Sequence, residues 1–124
     1  MKTGTYRTYK GENGLSIAIY PPLDYSGAQY GPLTPDRQTF FAKKAGDIDE
    51  KEYEKQYREK VLSKLNAHEI YKRYQQSVLL CWEPAGDFCH RRIVAAWIQE
   101  ETGIEVPEWQ PGDDDPKDFQ TPLF

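Results

Sequence analysis

One segment constrains the fold more than any other, the apolar run Val78-Leu79-Leu80-Cys81-Trp82. An edge strand carries polar residues on its solvent face, and this run has too few of them. It therefore predicts a central strand that is buried on both faces, as is typical of parallel sheets. Apolar residues at positions 93, 94, 97 and 98 predict a long helix directly afterwards, over residues 89–102. Gly103 is suited to end that helix.

The residues before this strand predict strands and helices in alternation. Residues 5–9 and 15–20 have the short alternating pattern of strands. Capping patterns predict three helices, over residues 36 to about 44, 49 to about 65, and 66–74. Thr34 followed by Pro35 predicts the cap of the first one. Residues 104–106 could add an edge strand. Together these elements predict an α/β domain with a short, mainly parallel sheet.

Length and composition set the outer limits of this prediction. The 124 residues are enough for one domain, and Pro, Gly and Asp dominate from Pro107 onward. We therefore expect a single α/β domain over residues 1–106 and an acidic, loosely held tail over residues 107–124. The net charge of −4 argues against a general nucleic-acid-binding surface and against an anionic membrane surface.

The cellular setting is predicted from what the sequence does not contain. No apolar run reaches the length that spans a membrane, and no signal peptide follows Met1. We therefore expect a cytoplasmic protein without a membrane partner. In such reducing surroundings the two cysteines, Cys81 and Cys89, are expected to remain unpaired.

Two loops predict a cleft. If strands 15–20 and 78–82 are parallel, the loops that follow them leave the sheet at the same carboxyl edge, where open α/β sheets bind ligands. The first loop, residues 21–34, is long and irregular and contains Tyr25 and Tyr30. Such loops often form binding surfaces, but a surface connection packed by its own tyrosines has the same composition. The second loop begins at Glu83.

Three basic side chains, His90, Arg91 and Arg92, stand where the last helix begins. A helix N-terminus carries partial positive charge, so each cation there is unfavourable by up to about 1 kcal/mol. An anion should offset them, either a bound phosphate or carboxylate or a protein carboxylate such as Glu83. We therefore predict an anion site, with a structural Arg91–Glu83 ion pair as the alternative. Asp87 is suited to cap this helix.

Cys89 lies in the same turn. A thiol at a helix start beside His90 and Arg91 favours the thiolate and is suited to act as a nucleophile. The alternative is a small buried residue that packs against the sheet, as we expect for Cys81. A zinc site of both cysteines with His90 and His68 is not predicted, because the spacing is not Cys-x-x-Cys and neighbouring residues on one helix point in different directions. We predict no metal and no other cofactor.

The runs Leu79-Leu80-Cys81-Trp82-Glu83 and Cys89-His90-Arg91-Arg92-Ile93-Val94-Ala95 resemble the family named domain of unknown function 488. Its hallmark is an apolar strand that ends in Cys-x-Glu, then a short loop and Cys-His-Arg at a helix start. Weaker similarity extends the resemblance over most of residues 5–106. It implies a small Rossmann-like, three-layer α/β domain, implies no activity, and marks Glu83, Cys89, His90 and Arg91 as the site.

These observations favour a small enzyme that acts on an anionic small molecule, such as a nucleotide or a nucleic-acid-derived compound. Its residues would be the proton carriers Glu83 and His90, the optional nucleophile Cys89, the anion-binding Arg91 and Arg7, and the base-stacking Tyr25 and Tyr30. The alternative is a non-enzymatic module that binds a protein or a nucleic-acid end. A third hypothesis is a purely structural Glu83–Arg91 pair.

Overall fold

The computed structural model describes residues 1–113, which form a four-stranded sheet and four α-helices. The strands are β1 (Lys2–Thr5), β2 (Gly14–Ser16), β3 (Ala28–Gln29) and β4 (Val78–Cys81), and the helices are α1 (Arg37–Lys44), α2 (Glu50–Lys60), α3 (Ala67–Tyr74) and α4 (His90–Thr102). All strand pairs are parallel, in the order β1-β4-β2-β3. The predicted α/β class with a short parallel sheet is confirmed. Within residues 1–113, no helix is both long and apolar enough to cross a membrane.

β4 lies at the centre of the sheet, as its apolar sequence predicts. It pairs with β1 from Lys2↔Val78 to Thr5↔Cys81, and with β2 from Gly14↔Val78 to Ser16↔Leu80. All four of its residues are buried. Since both neighbours are parallel to it, the chains that follow β2 and β4 leave the sheet at one edge, which positions the site described below.

The two faces of the sheet are covered differently. Leu15 and Leu79 face the helices and belong to the larger apolar cluster, with residues of α2, α3 and α4. Val78 and Leu80 face the other side, where they pack against aromatic side chains from loops and from the chain after α4: Tyr6, Tyr9, Tyr25 and Trp109. Gly4 is required in this second layer, because a Cβ atom there would lie 2.9 Å from Val78 Cγ1.

The first strand lies earlier than predicted, at Lys2–Thr5 and not at residues 5–9, and the second strand is shorter than predicted. β1 ends at Thr5, because residues 6–9 turn back and Tyr9 donates its backbone N–H to the Thr5 carbonyl at 3.1 Å. β2 ends at Ser16. In the loop of residues 21–34, β3 and a 3-10 helix (Gly31–Leu33) form instead of continuous irregular chain. Alternation in the sequence extends past the point where a partner strand is available.

The predicted edge strand at residues 104–106 is absent, and a later segment takes that place beside β1. Thr3 donates its backbone N–H to the Pro107 carbonyl at 3.0 Å and accepts from the Trp109 N–H at 2.7 Å. Residues 107–109 of the predicted tail are therefore hydrogen-bonded to the sheet. Residues 114–124 of that tail lie outside the described residues.

Local capping signals predict two helix starts and one helix end. Asp49 and Asn66 cap α2 and α3 by accepting from the backbone N–H three residues later, at 2.8 and 3.1 Å. Gly103 ends α4 with a φ of 76°. Two predicted caps are wrong. Asp36, not Thr34, caps α1, because its carboxylate reaches the Thr39 N–H. Cys89, not Asp87, is the N-cap residue of α4, because the helix begins at His90, and Asp87 lies in the preceding turn with Pro84.

Replacing Asp49 by alanine is expected to lower the free energy of unfolding by about 1 kcal/mol, because the N–H of Glu52 loses its acceptor. Urea denaturation would measure this. Asp47→Ala is the matched control, since Asp47 is also exposed and acidic but lies outside the helix. Equal losses for the two variants would contradict the capping role.

Candidate functional site

A cavity of about 650 Å³ opens where the chain leaves β2 and β4. Residues 18–20 line it from the chain that follows β2, and Cys81, at the end of β4, lines it together with Trp82 and Glu83. Helix α1 adds Phe40, Lys43 and Lys44. The Trp82 indole N–H donates to the Tyr20 carbonyl at 2.6 Å and so joins the two loops at the rim. The two loops therefore meet at the carboxyl edge of the sheet, as parallel strands require.

Aromatic rings form much of the cavity wall: Tyr20, Phe40, Tyr53, Trp82 and Phe88. They are held in edge-to-face pairs, with ring centroids 6.2 Å apart for Tyr20 and Phe40 and 5.4 Å apart for Tyr53 and Phe88. Edge-to-face packing of this kind is a favourable geometry for aromatic pairs and fixes the orientation of these rings in the cavity wall.

Two lysines and three carboxylates also line the cavity. The ammonium groups of Lys43 and Lys44 lie over the rings of Phe88 and Phe40, with Nζ 5.8 and 5.4 Å from the ring centroids. The acidic residues are Glu50, Glu83 and Asp87. The positive charge comes from α1, and two of the three acidic side chains come from the β4–α4 loop. The cavity therefore offers a ligand both signs of charge.

Cys81 and Cys89 are joined by a disulfide, so the expectation of unpaired cysteines is wrong. Cys81 ends β4 and Cys89 precedes α4, and both are buried at the wall of the cavity. The seven residues between them turn back on themselves, helped by Gly86 with a φ of 91°. This return brings the strand end to the helix start. In this state the Cys89 sulfur is bonded to Cys81 and is not a free nucleophile.

His90 is a buried, neutral side chain. Its Nε2 lies 2.7 Å from the Ile17 carbonyl oxygen, and since only a protonated nitrogen can donate there, Nε2 carries the hydrogen. Burial, and then the charge of Arg91, lower the pKa of His90 to about 4. Nδ1 is therefore unprotonated at neutral pH, and it lies 3.7 Å from Cys89 Sγ.

Arg91 does not face the cavity. It is fully buried, and its guanidinium donates to both carboxylate oxygens of Glu108, the shortest contact being Nη2 to Oε2 at 2.7 Å. Further donors reach Cys81 Sγ at 2.9 Å and the Pro84 carbonyl at 3.3 Å. The counter-charge of Arg91 at the start of α4 is thus Glu108 and not Glu83. The Arg91–Glu83 pair inferred from the sequence does not form.

Arg92 is held nearby by neutral acceptors. Its Nη1 donates to Thr3 Oγ1 at 2.8 Å and to the Val106 carbonyl at 2.9 Å. The Thr3 hydroxyl in turn donates to Glu108 at 2.5 Å. Burial would raise the pKa of Glu108, but the hydrogen bonds from Arg91 and Thr3 outweigh it and hold that pKa below its usual range. Glu108 is the residue that sequence reasoning missed, because it lies in the segment assigned to a loose tail.

Glu83 is the carboxylate that directly follows β4 at the edge of the cavity. It is half-buried at the cavity, and its carboxylate forms neither an ion pair nor a hydrogen bond with any of residues 1–113. Burial, and then the negative charge of Glu83, raise the pKa of Tyr53. The Glu83 carboxylate therefore acts electrostatically on Tyr53 across the cavity. Within residues 1–113, no partner prevents it from interacting with a ligand.

Three residues predicted to bind the ligand lie elsewhere. Arg7 is exposed in the turn after β1. Tyr25 donates its hydroxyl to the Ala28 carbonyl at 2.6 Å and lines a second cavity, of about 260 Å³. Tyr30 packs on Tyr74, with ring centroids 4.9 Å apart. None of them is among the residues that line the larger cavity.

Helix α1 contributes three cavity-lining residues that were not predicted from the sequence: Phe40, Lys43 and Lys44. Their spacing of three and four residues on one helix puts the three side chains on a shared face, and this signal was available in the sequence.

Comparisons of the chain with protein-family models, with curated proteins and with solved structures found no match, so they neither support nor refute the resemblance to domain of unknown function 488.

Proposed function

We propose that the chain is a small enzyme whose cavity binds a molecule that combines a flat ring with an anionic group, such as a nucleotide or a nucleic-acid-derived compound. The observation that carries the proposal is the presence of two lysines and the unpaired Glu83 carboxylate in one aromatic-lined cavity. The volume of about 650 Å³ is typical of small-molecule sites.

Recognition of the ring would come from the aromatic wall. Tyr20 and Trp82 stand at the rim, each about half exposed, and Phe40 and Phe88 line the wall beside the lysines. Stacking on such rings is worth roughly 1–3 kcal/mol for a nucleobase and tolerates different bases. The aromatic wall therefore favours a class of ring rather than one ring.

Recognition of the anionic group would come from Lys43 and Lys44. Arg91 is not available for this role, because its guanidinium is used by Glu108, Cys81 and Pro84. The two lysine side chains lie over aromatic rings, and neither forms an ion pair within residues 1–113. Charge-assisted hydrogen bonds to a phosphate or carboxylate are therefore open to them.

Glu83 would supply the acid–base chemistry. A carboxylate without a fixed partner at the edge of a cavity can accept a proton from a bound molecule or from a water beside it. Because the two lysines come from α1 and Glu83 comes from the β4–α4 loop, we expect the anionic end of the ligand on the α1 side and its reacting end beside Glu83.

The Lys43→Ala/Lys44→Ala double variant is expected to bind nucleoside monophosphates at least about 10-fold more weakly than the wild type, because charge-assisted hydrogen bonds are lost. Isothermal titration calorimetry would measure the dissociation constants of nucleoside monophosphates and of the matching nucleosides. The control is Lys51→Ala/Lys55→Ala, two exposed lysines of α2 outside the cavity.

Glu83→Gln separates binding from chemistry. We expect it to keep the affinity and to abolish turnover of any nucleotide that the wild type converts, followed by NMR of the substrate. No binding of any of these compounds by the wild type, or equal weakening by both lysine pairs, would overturn the proposal.

The alternative is a non-enzymatic module, which three exposed apolar side chains favour. Leu23 is completely exposed, and Phe41 and Trp82 are about half exposed. A contiguous exposed apolar patch is typical of protein-binding sites, and the variants below test whether these side chains serve as one. If the chain is such a module, Leu23→Ser with Phe41→Ser should abolish partner binding in a pull-down, and Glu83→Gln should leave it unchanged.

A further inference from the structure

Three potential metal ligands meet at the wall of the cavity. Cys81 Sγ, Cys89 Sγ and His90 Nδ1 all lie within 4.8 Å of one another, and the three residues are buried. A tetrahedral zinc ion binds sulfur at about 2.3 Å and nitrogen at about 2.0–2.1 Å, which separates two such ligands by roughly 3.5–3.8 Å. The distance of 3.7 Å from Cys89 Sγ to His90 Nδ1 falls in that range.

We propose that, once the disulfide is reduced, Cys81, Cys89 and His90 bind a zinc ion. The sequence argued against a zinc site of these residues with His68, because the spacing is not Cys-x-x-Cys and because Cys89 and His90 are neighbours on a predicted helix. The second of these arguments was wrong for a local reason. Cys89 precedes the helix in an extended conformation, with φ −157° and ψ 147°, so its side chain does not follow the helical direction.

His90 is oriented as a zinc ligand is. Histidines that bind zinc through one nitrogen usually donate the other N–H to a carbonyl or a carboxylate, which fixes the ring and its tautomer. His90 makes that contact with the Ile17 carbonyl through Nε2. The free electron pair of Nδ1 is therefore directed to the side of the ring where the sulfurs lie.

The surrounding charges suit two thiolates and a zinc ion. Zinc and two thiolates together are neutral, and the neighbouring charge of Arg91 is balanced by Glu108. Arg91 Nη1 lies 2.9 Å from Cys81 Sγ, where its N–H stabilises a thiolate. The complete cluster can therefore be buried without an uncompensated charge.

The backbone spacing also suits a metal. The Cα atoms of the two cysteines lie 7.6 Å apart, beyond the roughly 4.4–6.8 Å that disulfides usually span. A metal ion between two sulfurs accommodates a wider separation than a direct bond does, because each sulfur has its own bond to the ion.

The conversion requires a reductant. Two molecules of a thiol reductant each give a hydrogen to one cysteine sulfur and end joined in a disulfide, while the Cys81–Cys89 bond breaks. Zinc binding then releases two protons, one from each thiol, to the solvent. Softness favours zinc over magnesium or calcium, since two of the three donors are sulfur.

Three protein ligands leave a fourth position open, and the ligand residues all line the cavity. This arrangement is typical of catalytic rather than structural zinc, in which the ion lowers the pKa of a bound water. Glu83 lines the same cavity and could take the proton of that water. This last step rests on the proposed function, whereas zinc binding does not depend on it.

The test is a metal titration of the full chain in two redox states. One sample is reduced by a water-soluble phosphine, which takes the oxygen of a water molecule as the S–S bond becomes two thiols, and is then freed of phosphine without air. The other stays oxidised. Cobalt, which reports its ligands by its visible and near-ultraviolet spectrum, is added to both, and zinc is then used to displace it.

We expect the reduced chain to bind one cobalt ion with a tetrahedral spectrum and thiolate charge-transfer absorption, and the oxidised chain to bind none. Cys81→Ser, Cys89→Ser and His90→Gln should each weaken zinc binding at least about 100-fold. The matched control His68→Gln, at an exposed histidine, should leave it unchanged. Circular dichroism identifies any variant that fails to fold, and the two redox states of the wild type then decide the question alone.

A reduced, folded wild type that binds no cobalt, or binds it without thiolate absorption, would overturn the inference. Equal binding by both redox states would also overturn it. These outcomes are separate from the test of the proposed function. If the chain binds nucleotides but no metal, the zinc proposal fails and the proposed ligand site stands. If it binds a metal but no nucleotide, the zinc proposal stands and the proposed ligand site fails.

Discussion

Replacing Glu108 by glutamine is expected to lower the free energy of unfolding by about 3–5 kcal/mol. Arg91 is completely buried, and Glu108 is the carboxylate that its guanidinium contacts at 2.7 Å. The variant keeps the size of the side chain and removes its charge, so a buried cation is left without compensation. Urea denaturation at neutral pH would measure the loss.

Two further variants distinguish this ion pair from a general effect of altering the chain after α4. Glu105→Gln removes an exposed carboxylate three residues earlier and is expected to change stability by less than about 0.5 kcal/mol. Arg91→Met with Glu108→Leu removes both charges and should recover most of the loss, because no uncompensated charge remains. A loss below 1 kcal/mol for Glu108→Gln would show that the pair is not needed.

This ion pair explains the basic start of α4. Helix dipoles disfavour cations at that end, yet Arg91 is fully buried there. Glu108 offsets the charge and also fixes the chain after α4 against β1, where Thr3 contacts the same carboxylate. The negative charge that the sequence predicted beside Arg91 is supplied by Glu108.

Acidification from pH 7 to pH 5 is expected to destabilise the oxidised protein by about 2 kcal/mol through His90 alone. Burial lowers the pKa of His90 from an ordinary value of 6.5 to about 4 in the folded chain. Between these values the unfolded chain binds a proton that the folded chain does not. Stability is therefore fully present above pH 6.5 and is lost as the pH falls towards 4.

Two histidine variants isolate this effect. His90→Gln should lower stability at pH 7 and also flatten the slope of stability between pH 7 and pH 5, measured by urea denaturation at several pH values. His68→Gln is the control, because His68 is exposed on α3 and should keep the wild-type slope. Glu108 acts in a lower window, since its pKa in the folded chain lies below the usual carboxyl range. An unchanged slope in His90→Gln would contradict this assignment.

Much of the fold could be predicted because its signals are local. The apolar run of β4 predicted a central parallel strand, and Asp49, Asn66 and Gly103 predicted two helix starts and one end. Caps and alternation depend on residues within a few positions of one another, so sequence spacing describes them well. The same locality explains the errors at the first two strands, because residues 6–9 and 17–20 alternate without a partner strand, and the strand that precedes residues 6–9 was not predicted.

The candidate site was only partly predictable. The sequence predicted its position in the fold, since Glu83, Cys89 and His90 follow a central parallel strand and line a cavity at the carboxyl edge of the sheet. The choice of Lys43 and Lys44 over Arg7, Tyr25 and Tyr30 depended on how α1 and the loops pack.

Only the tertiary structure decided which partners these residues have. In it, Cys81 forms a disulfide with Cys89, and His90 is hydrogen-bonded to the Ile17 carbonyl. Arg91 pairs with Glu108, seventeen residues further along the chain. Such pairings depend on where the chain returns after a helix or a loop. Charge and spacing in the sequence indicate that a buried side chain needs a partner. Which residue becomes that partner depends on where the chain returns in the tertiary structure.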